Sequence, residues 1–280
     1  MSKIKEKKEN LIEKWDKHWV DKESRSLPRW AREWVNLCWR MSSEYWQEVF
    51  EKLAPGKKML ECGSGTAKVS QYMAKRGYQC TMLDHSEIGL NYGRIAFEKA
   101  GIKGDFVIGD VRALPFKDES FDIMFSGGLL EHFEDVRPII KEMVRVLKPG
   151  GVFAADILPR PRFFSGQGLV DNLCFFGKVF LKIIKFQCKG SIKENRRNFP
   201  FYESPKTPKD YRKIMEEERL ENIVATGTSP FPSIPFERLR RPYVKMMRWM
   251  IPLWKRFNRS NSKFTEIWGT VYSIYGTKKL

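Results

Sequence analysis

A short apolar run that ends in two glycines is the first stretch whose residue types suggest chemistry. Residues 57–70 read KKMLECGSGTAKVS, and Gly63 and Gly65 permit a sharp turn that a ligand can approach closely, because neither carries a Cβ. Asp84 ends the next apolar run about twenty residues later, where a carboxylate can accept hydrogen bonds from both hydroxyls of a ribose. Asp110 follows the third run and can accept from an exocyclic amino group. Together these residues suit an adenosine.

The glycine turn is a weak signal by itself. Gly63-Ser64-Gly65 also fits a plain tight connection between a strand and a helix. The stretch lacks the third glycine of the dinucleotide fingerprint and the Gly-Lys-Ser/Thr of a P-loop, so a pyrophosphate is not the indicated ligand. The acids that end the next two apolar runs are what favour an adenosine site over a structural turn.

The elements that must position these residues alternate between strand and helix patterns. The alternation predicts an α/β fold, a Rossmann-like seven-stranded and mostly parallel sheet with helices on both faces. In such a sheet a ligand binds outside the carboxyl ends of the strands. The predicted strands are 57–63, 79–86, 104–111, 120–128, 152–159, 221–229 and 264–276, and the predicted helices between them are 64–77, 88–101 and 136–151.

Two kinds of segment fall outside this alternation. A helical cap is predicted over residues 1–50, and the α/β domain over 51–280 with insertions at about 159–206 and 230–263. Both insertions contain basic amphipathic helical patterns, and Pro252 is predicted to kink or end the helix of the second. The first pattern carries Lys178, Lys182, Lys185 and Lys189; the second has an apolar stripe of Leu239, Tyr243, Met246, Met250, Leu253 and Phe257, with Arg241, Lys245 and Arg248 on another face.

The charge balance points to an anionic partner. The chain has 51 Lys+Arg against 34 Asp+Glu, a net charge of +17 and a pI near 9.6. Because the apolar residues of the insertions are segregated into stripes, the pattern favours helices that lie on an anionic membrane surface. Two alternatives stay open: arginines interleaved with aromatics also suit RNA, and the same helices can pack on the domain with their cations in solvent.

The cysteines and the N-terminus bear on location. Five cysteines without metal-ligand spacing favour a reducing compartment and give no reason to expect a metal site. The N-terminus is charged and lacks the apolar core of a secretory signal, and no apolar run is long enough to span a bilayer. We therefore expect a cytoplasmic protein that attaches peripherally to the inner face of the membrane.

Four motifs in the first half of the chain carry a family resemblance. LECGSGTAKVS, MLDHS, GDVRALPFKDESFDIMFSGGLLEHF and IIKEMVRVLKPGG occur in this order within residues 55–158. They resemble the successive motifs of class I S-adenosylmethionine-dependent methyltransferases, and the nearest group is the ubiquinone/menaquinone methyltransferase-like family. The resemblance implies a methyltransferase with S-adenosylmethionine as cofactor. It is specific for the cofactor and does not identify the methyl acceptor.

The resemblance also implies roles for individual residues. The ribose falls to Asp84, and His85 is expected at the edge of the cofactor. Trp19 is expected to cover the adenosine or the sulfonium, although packing of the helical cap accounts for a tryptophan there equally well. The methionine part is assigned to Glu61, Gly63, Ser64, Gly65 and Thr66, the adenine to Asp110 and Val111, and the lining at the fourth strand to Ser126 and Gly127.

His132 is the candidate proton acceptor. Methyl transfer depends mostly on positioning, and a base is needed only when the acceptor must lose a proton. His132 follows the fourth strand and so lies on the cofactor side, but a structural role at the start of a helix is the competing interpretation; His18 is expected at the surface. We expect a lipophilic small-molecule acceptor such as a quinone precursor. The alternatives are an RNA methyltransferase and a regulator that binds S-adenosylmethionine without catalysis.

Overall fold

The computed structural model describes residues 13–20, 29–158, 169, 202–232 and 237–280. The lysine pattern between Lys178 and Lys189, predicted in the first insertion, lies outside these residues. Among the helices that the structure describes, none has both the length and the apolar character needed to cross a bilayer.

The described strands form one sheet in the order β3-β2-β1-β4-β5-β7-β6. All neighbours pair in parallel except β7, which is antiparallel to both β5 and β6. The predicted Rossmann-like, mostly parallel α/β fold is therefore confirmed. The strands are β1 (Lys58–Cys62), β2 (Gln79–Asp84), β3 (Asp105–Ile108), β4 (Phe121–Gly127), β5 (Leu147–Ile157), β6 (Leu220–Thr228) and β7 (Val271–Lys278).

Helices cover both faces of this sheet. Alternate strand residues face opposite sides, so Met59 and Ile123 pack in one apolar cluster and Leu60 and Met124 in the other. The first cluster includes residues of α2, α3 and α4, and the second includes residues of α5 and α6. The helices are α1 (13–20), α2 (Arg29–Leu53), α3 (Lys68–Ala74), α4 (Glu87–Lys99), a 3-10 turn (Leu130–His132), α5 (Arg137–Val146), α6 (Pro208–Glu217), α7 (Glu237–Trp249), α8 (Ile251–Arg259) and α9 (Lys263–Trp268).

Two predicted boundaries were wrong. The seventh strand was predicted from residue 264, but α9 occupies its first part because the Ser262 side chain accepts from the Thr265 amide and starts a helix there. The helix predicted within 136–151 was expected to stop at its Pro-Gly pair, but α5 already ends at Val146, and the Lys148-Pro149-Gly150-Gly151 stretch belongs to β5. Proline cannot continue the hydrogen-bond ladder of a helix, and Gly150 adopts a positive φ of 72°.

Helix α2 is anchored at the carboxyl end of β5. The Ser42 hydroxyl and the Trp46 indole each donate to the buried Asp156 carboxylate at 2.9 Å. Because α2 leads directly into the start of β1, it runs opposite to the parallel strands. Its first part, residues 29–41, therefore extends roughly 20 Å past the carboxyl edge of the sheet at about 1.5 Å per residue.

Helices α7 and α8 pack along α2, from its projecting part as far as Glu48. Leu37 and Met41 of α2 form an apolar cluster with Phe231, Met247 and Trp254. At the rim of the contact the carboxylates of α2 pair with cations of the two later helices, as Glu33–Arg248, Glu44–Lys255 and Glu48–Arg259. The predicted effect of Pro252 is confirmed, because α7 ends at Trp249 and α8 begins at Ile251 with this proline in its first turn.

Candidate active site

The glycine turn after β1 lies where the strand order reverses. The chain crosses from the β3-β2-β1 half of the sheet to the β4 half, which leaves a crevice at the carboxyl ends of β1 and β4. Gly63, Gly65 and Ala67 have φ values of 66°, 46° and 51°, a conformation in which glycine has no steric cost. The amides of Gly63 and Ser64 both donate to the Leu83 carbonyl, at 2.8 and 3.2 Å. The turn is thus tied by its backbone to the end of β2.

Asp84 ties the same two elements together through its side chain. Its carboxylate is buried and accepts from the Gly65 amide at 2.8 Å and from the Ser86 amide at 2.9 Å. Burial raises the pKa of this carboxyl above its usual range, against the effect of the two amides and of His85, whose Nδ1 is 3.4 Å from the carboxylate. Each oxygen of an ionised carboxylate has further acceptor capacity, so ribose hydroxyls can still bind.

Glu61 belongs to β1, and its side chain binds the first turn of α3. Its Oε2 accepts from the Ser70 amide at 3.0 Å, and the side chain is buried. Burial and, to a smaller extent, the nearby Asp84 carboxylate raise the pKa of Glu61 to about 7, against the lowering effect of the hydrogen bond from Ser70. A buried carboxyl with such a pKa favours a cationic ligand group, because a nearby positive charge stabilises its ionised form.

Polar atoms around the turn fit a polar cofactor. Of the eight buried side-chain polar atoms that have no hydrogen-bond partner within the described part of the chain, three lie around the turn: the hydroxyls of Ser64 and Ser126 and Nε2 of His85. Ser126 pairs with Cys62 in the β1–β4 register, which places it beside the glycine turn. Buried polar atoms without partners are rare in folded proteins. Their concentration at one strand edge is what a site for an S-adenosyl group requires.

The remaining predicted cofactor residues lie at the same edge, and they differ in burial and in the hydrogen bonds that they already make. Thr66 is half-buried in the turn, and Gly127 ends β4. Val111 is buried in a core cluster. The Asp110 carboxylate accepts two bonds from the Arg112 guanidinium, at 2.9 and 2.8 Å. An adenine amino group at Asp110 would have to share the carboxylate with this arginine, which sequence reasoning did not anticipate.

Helix α1 lies across the turn. A Cβ built on Gly65 would lie 2.3 Å from the Trp19 ring, and one built on Gly89 would lie 2.8 Å from its indole nitrogen. The Ser86 hydroxyl donates to the Asp16 carboxylate at 2.5 Å. We call the turn at 63–66, together with the Glu61 and Asp84 side chains that bind beside it, the cradle. The structure places Trp19 directly against the cradle, and glycine at positions 65 and 89 makes room for its ring.

The ring of Trp15 contacts all three histidines, so that they form one aromatic cluster. Its ring meets His132 edge-on at a centroid distance of 5.2 Å, His85 at 6.3 Å and His18 at 5.5 Å. His18 also meets Trp19 at 5.5 Å and is half-buried, so its predicted surface position was wrong. The WDKHW spacing carried the missed signal, because residues three and four apart share one helix face.

His132 is held by a residue near the end of the first insertion. Its Nδ1 is 2.8 Å from the Tyr202 carbonyl, which can only accept, so Nδ1 carries the proton and Nε2 is the basic atom of the neutral ring. Burial lowers the pKa of His132 below its usual range. The imidazole is therefore neutral near physiological pH, which is the state that a proton acceptor needs.

Known proteins share both the sequence and the architecture of this region. A family model described as a methyltransferase domain matches residues 60–155. The chain is 34% identical over 160 residues to a demethylmenaquinone methyltransferase of Listeria welshimeri, covering 53% of this chain and 66% of that protein. It is 41% identical over 114 residues to one of Corynebacterium glutamicum, covering 38% and 46%. The crystal structure of the cyclase SpnF has the same fold at a TM-score of 0.52 and 15% identity, covering 85% of this chain and 81% of that one.

These matches and the cradle geometry define the class. The domain belongs to the class I S-adenosylmethionine-dependent methyltransferases, and its cofactor is S-adenosylmethionine. Within that class its sequence is similar to the demethylmenaquinone methyltransferases. The matched segment spans less than two thirds of the length of these curated relatives. The sequence-based predictions of family and cofactor are confirmed at this level.

Proposed function

We propose that the protein transfers a methyl group from S-adenosylmethionine to a lipophilic, quinone-type small molecule that it takes from an anionic membrane surface on the cytoplasmic side. The names of the relatives, demethylmenaquinone methyltransferases, support a quinone-type acceptor. The observation that carries the membrane part is an exposed line of large apolar side chains on α7, α8 and α9. The fold gives no support by itself, since the protein SpnF, which has the same fold, is named as a cyclase.

We call this line the apolar ridge; it consists of Leu239, Met246, Trp249, Leu253, Phe264 and Ile267, all of them exposed. Trp249 is the extreme case, with 81% of its surface accessible. Met246, Trp249 and Leu253 follow at steps of three and four residues, so they share a face as far as the Pro252 bend allows. Leu253 leads by another such step to Phe257, whose ring lies 6.1 Å from that of Phe264. The ridge therefore has members on three helices, and the Phe257–Phe264 contact joins α8 to α9.

The ridge differs from the stripe predicted for the second insertion. Tyr243 and Met250 of that stripe are half-buried and pack toward the cluster between α7, α8 and α2, while Trp249 replaces them on the exposed side. Arg241, Lys245 and Arg256 are exposed on the same helices. Exposed apolar residues with cations beside them match an anionic lipid surface, since the apolar groups enter the interface and each cation contributes about 1 kcal/mol near the headgroups.

The position of the ridge connects the membrane to the site. Helices α7 and α8 pack along α2 from Glu33 to Glu48, and the first part of this stretch projects past the carboxyl edge of the sheet where the cofactor cradle lies. A protein that rests on the ridge therefore holds the cradle end of its sheet near the lipid. A lipophilic acceptor would then need to move only a short way through water.

The cofactor residues keep their sequence-based assignments in this proposal. Glu61 and the turn at 63–66 hold the methionine part, Asp84 the ribose, and Asp110 and Val111 the adenine. Ser126 and Gly127 line the site at β4, with His85 at its edge and Trp19 above the turn. When bound, the cofactor supplies a methyl group that is already activated by a sulfonium.

His132 acts in this proposal as the base for an acceptor that must lose a proton. Its neutral imidazole accepts that proton at Nε2, while the Tyr202 carbonyl retains the proton on Nδ1 and fixes the plane of the ring. The edge of Trp15 packs against the imidazole and limits access of water to it. The residues around the crevice otherwise contribute by orientation, which can supply roughly 7–11 kcal/mol of the barrier for well-aligned reactants.

One experiment tests acceptor and membrane together. The protein is incubated with isotope-labelled S-adenosylmethionine and phosphatidylglycerol vesicles that contain demethylmenaquinone, and labelled product is extracted into organic solvent. We expect label in the organic phase, and sedimentation of the protein with the vesicles. Transfer of label to added RNA, with no sedimentation at low salt, would replace this proposal with the RNA methyltransferase.

Matched variants assign the effect to the ridge. Trp249→Asp and Leu253→Asp put a charge on exposed ridge positions, and we expect both to abolish sedimentation while the net charge stays strongly positive. Ile95→Asp makes the same change at an exposed apolar position on α4, which packs on β2 and β3, and should sediment like the wild type. Equal losses in all three variants would show that charge alone governs binding and would remove the ridge from the proposal.

A further inference from the structure

The 3-10 turn that carries His132 also carries a buried carboxyl that the proposed reaction does not use. Glu131 is 2% exposed, and its Oε1 accepts from the Leu158 amide at 3.0 Å. Its main-chain carbonyl accepts from the Ser204 amide at 2.6 Å. Its Oε2 has no hydrogen-bond partner within the described part of the chain.

Glu131 therefore touches both ends of the long connection between β5 and α6. Leu158 directly follows β5, and Tyr202 and Ser204 lead into α6. The Tyr202 carbonyl is also the group that binds Nδ1 of His132. The turn, the end of β5 and residues 202–204 thus form one hydrogen-bonded unit, with the side chain of Glu131 on one side and the ring of His132 on the other.

We infer that Glu131 is a positioning residue: by holding Leu158 with its carboxyl and Ser204 with its main chain, it fixes the turn so that the Tyr202 carbonyl orients the imidazole of His132. A buried carboxyl is a costly way to accept one amide, so its presence needs a reason beyond packing. Loss of the Leu158 bond frees one side of a turn of three residues. The ring then shifts toward solvent, and its bond to Tyr202 weakens.

The charges around the two residues set the expected titration. Burial and, to a smaller extent, the carboxylates of Glu203 and Asp156 raise the pKa of Glu131 to about 7, against the lowering effect of backbone hydrogen bonds such as that from Leu158. Burial lowers the pKa of His132, whereas the Tyr202 carbonyl and the Glu203 carboxylate act in the opposite direction. Because burial dominates for His132, a turn that opens to water should return the pKa of His132 toward its ordinary value of about 6.5.

The test is the imidazole titration followed by NMR in the full-length protein. The chain has three histidines, so the His132 signal can be assigned by its absence in His132→Gln. We expect Glu131→Leu to raise the pKa of His132 toward the ordinary value, and Glu131→Gln, which keeps an acceptor for the Leu158 amide, to leave it unchanged. Leu158→Pro removes the amide that donates to Glu131, at a position whose side chain is exposed. It should raise the pKa of His132 as Glu131→Leu does, and it tests the inference independently if Glu131→Leu does not fold.

Two controls limit the interpretation. Leu158→Ala retains the amide and should titrate like the wild type. Glu142→Leu removes a carboxylate that likewise accepts a backbone amide, that of Leu114 at 3.0 Å, but in another part of the molecule, so it should not move the His132 signal. An unchanged His132 titration in both Glu131→Leu and Leu158→Pro would overturn the inference, as would an equal shift in Glu142→Leu.

The catalytic consequence rests on the proposed function, whereas the titration does not. With the methyl acceptor at saturation, Glu131→Leu should lower kcat by about tenfold, because a misplaced base loses alignment, while KM for S-adenosylmethionine changes by less than about twofold. Glu131→Gln should restore kcat. A shifted titration with unchanged kcat would retain Glu131 as a positioning residue and remove His132 from catalysis; unchanged titration would reject the positioning role whatever the enzyme does.

Discussion

The cofactor cradle and the ridge-bearing helices are held together by different kinds of interaction. The cradle is fixed by buried hydrogen bonds between backbone amides and the Glu61 and Asp84 carboxylates. Helices α7 and α8 are joined to α2 by a small apolar cluster with exposed ion pairs at its rim. Buried unpaired groups are costly, while exposed ion pairs contribute little. The cradle should therefore tolerate no change that leaves an amide unpaired, whereas the outer helices should tolerate the loss of single contacts.

The largest effect is expected at Asp84. Asp84→Ala leaves the buried amides of Gly65 and Ser86 without acceptors, which should destabilise the fold by roughly 2–6 kcal/mol at about 1–3 kcal/mol for each amide. It should also weaken S-adenosylmethionine binding at least about tenfold, because charge-assisted hydrogen bonds contribute about 1.5–3 kcal/mol. Urea unfolding and calorimetry measure the two effects. Wild-type affinity in a folded Asp84→Ala protein would contradict the ribose assignment.

The next largest effect is expected for Glu61→Gln, and its stability relative to the wild type should depend on pH. Its folded-state pKa of about 7 lies above the ordinary value of 4.5, so its contribution to stability is fully present below pH 4.5 and is lost as pH rises toward about 7. Glu61→Gln lacks this loss, and relative to the wild type it should be more stable at pH 8 than at pH 4 by a difference on the order of 3 kcal/mol.

The same variant separates binding from stability. If Glu61 binds the cationic amino group of the cofactor, wild-type affinity rises with pH as Glu61 ionises, and the affinity of Glu61→Gln stays lower and flat. Titration calorimetry at pH 6 and 8 checks this expectation, since both values lie about one unit from the pKa of about 7. A Gln variant with wild-type affinity at both pH values would limit Glu61 to a structural role at the start of α3.

His132 tests whether the aromatic cluster belongs to catalysis. His132→Ala should lower turnover by about 10²-fold while cofactor affinity stays nearly unchanged, because a general base acts on the reaction and not on binding. The acidic limb of the wild-type rate profile should lie below the ordinary histidine pKa, since burial lowers the pKa of His132. Equal losses in turnover and affinity would instead make it part of the cofactor site.

The smallest effect is expected at the rim of α2. Glu48→Ala removes a two-point ion pair with Arg259, at 2.8 and 2.6 Å, between side chains that are both exposed. We expect a loss of only about 0.2–1 kcal/mol of stability, and less at high salt because exposed charges are screened. Glu51→Ala, on the same helix, is the matched control. A loss of several kcal/mol at Glu48 would remove the contrast between the cradle and the outer helices.

The glycine turn after β1 and the acid at the end of β2 could be predicted from the sequence because their determinants are local. Glycines after an apolar run, and an acid that ends the next run, can be read without knowing what packs against them. The segment FTEIWG, predicted as part of a strand, shows where such local reading fails. Its residues fit both a strand and a helix, and the cap at Ser262 selects the helix α9. Asp110 shows a third case: its place after β3 was predicted, but its partner Arg112 was not.

The order of motifs along the chain thus determined the fold, the crevice between β1 and β4, and the class of cofactor, because hydrophobic period and turn residues act over a few neighbours. Which face of α7 is exposed, and which side chains surround His132, was decided only by the tertiary structure. The exposed faces of α7 and α8 depend on which of their residues pack against α2, a helix that is distant in the sequence. The Glu48–Arg259 pair between α2 and α8 has a sequence separation of 211. The side chains of Glu131 and His132 bind residues about 27 and 70 positions away, since a buried group is satisfied by whichever backbone the fold brings to it.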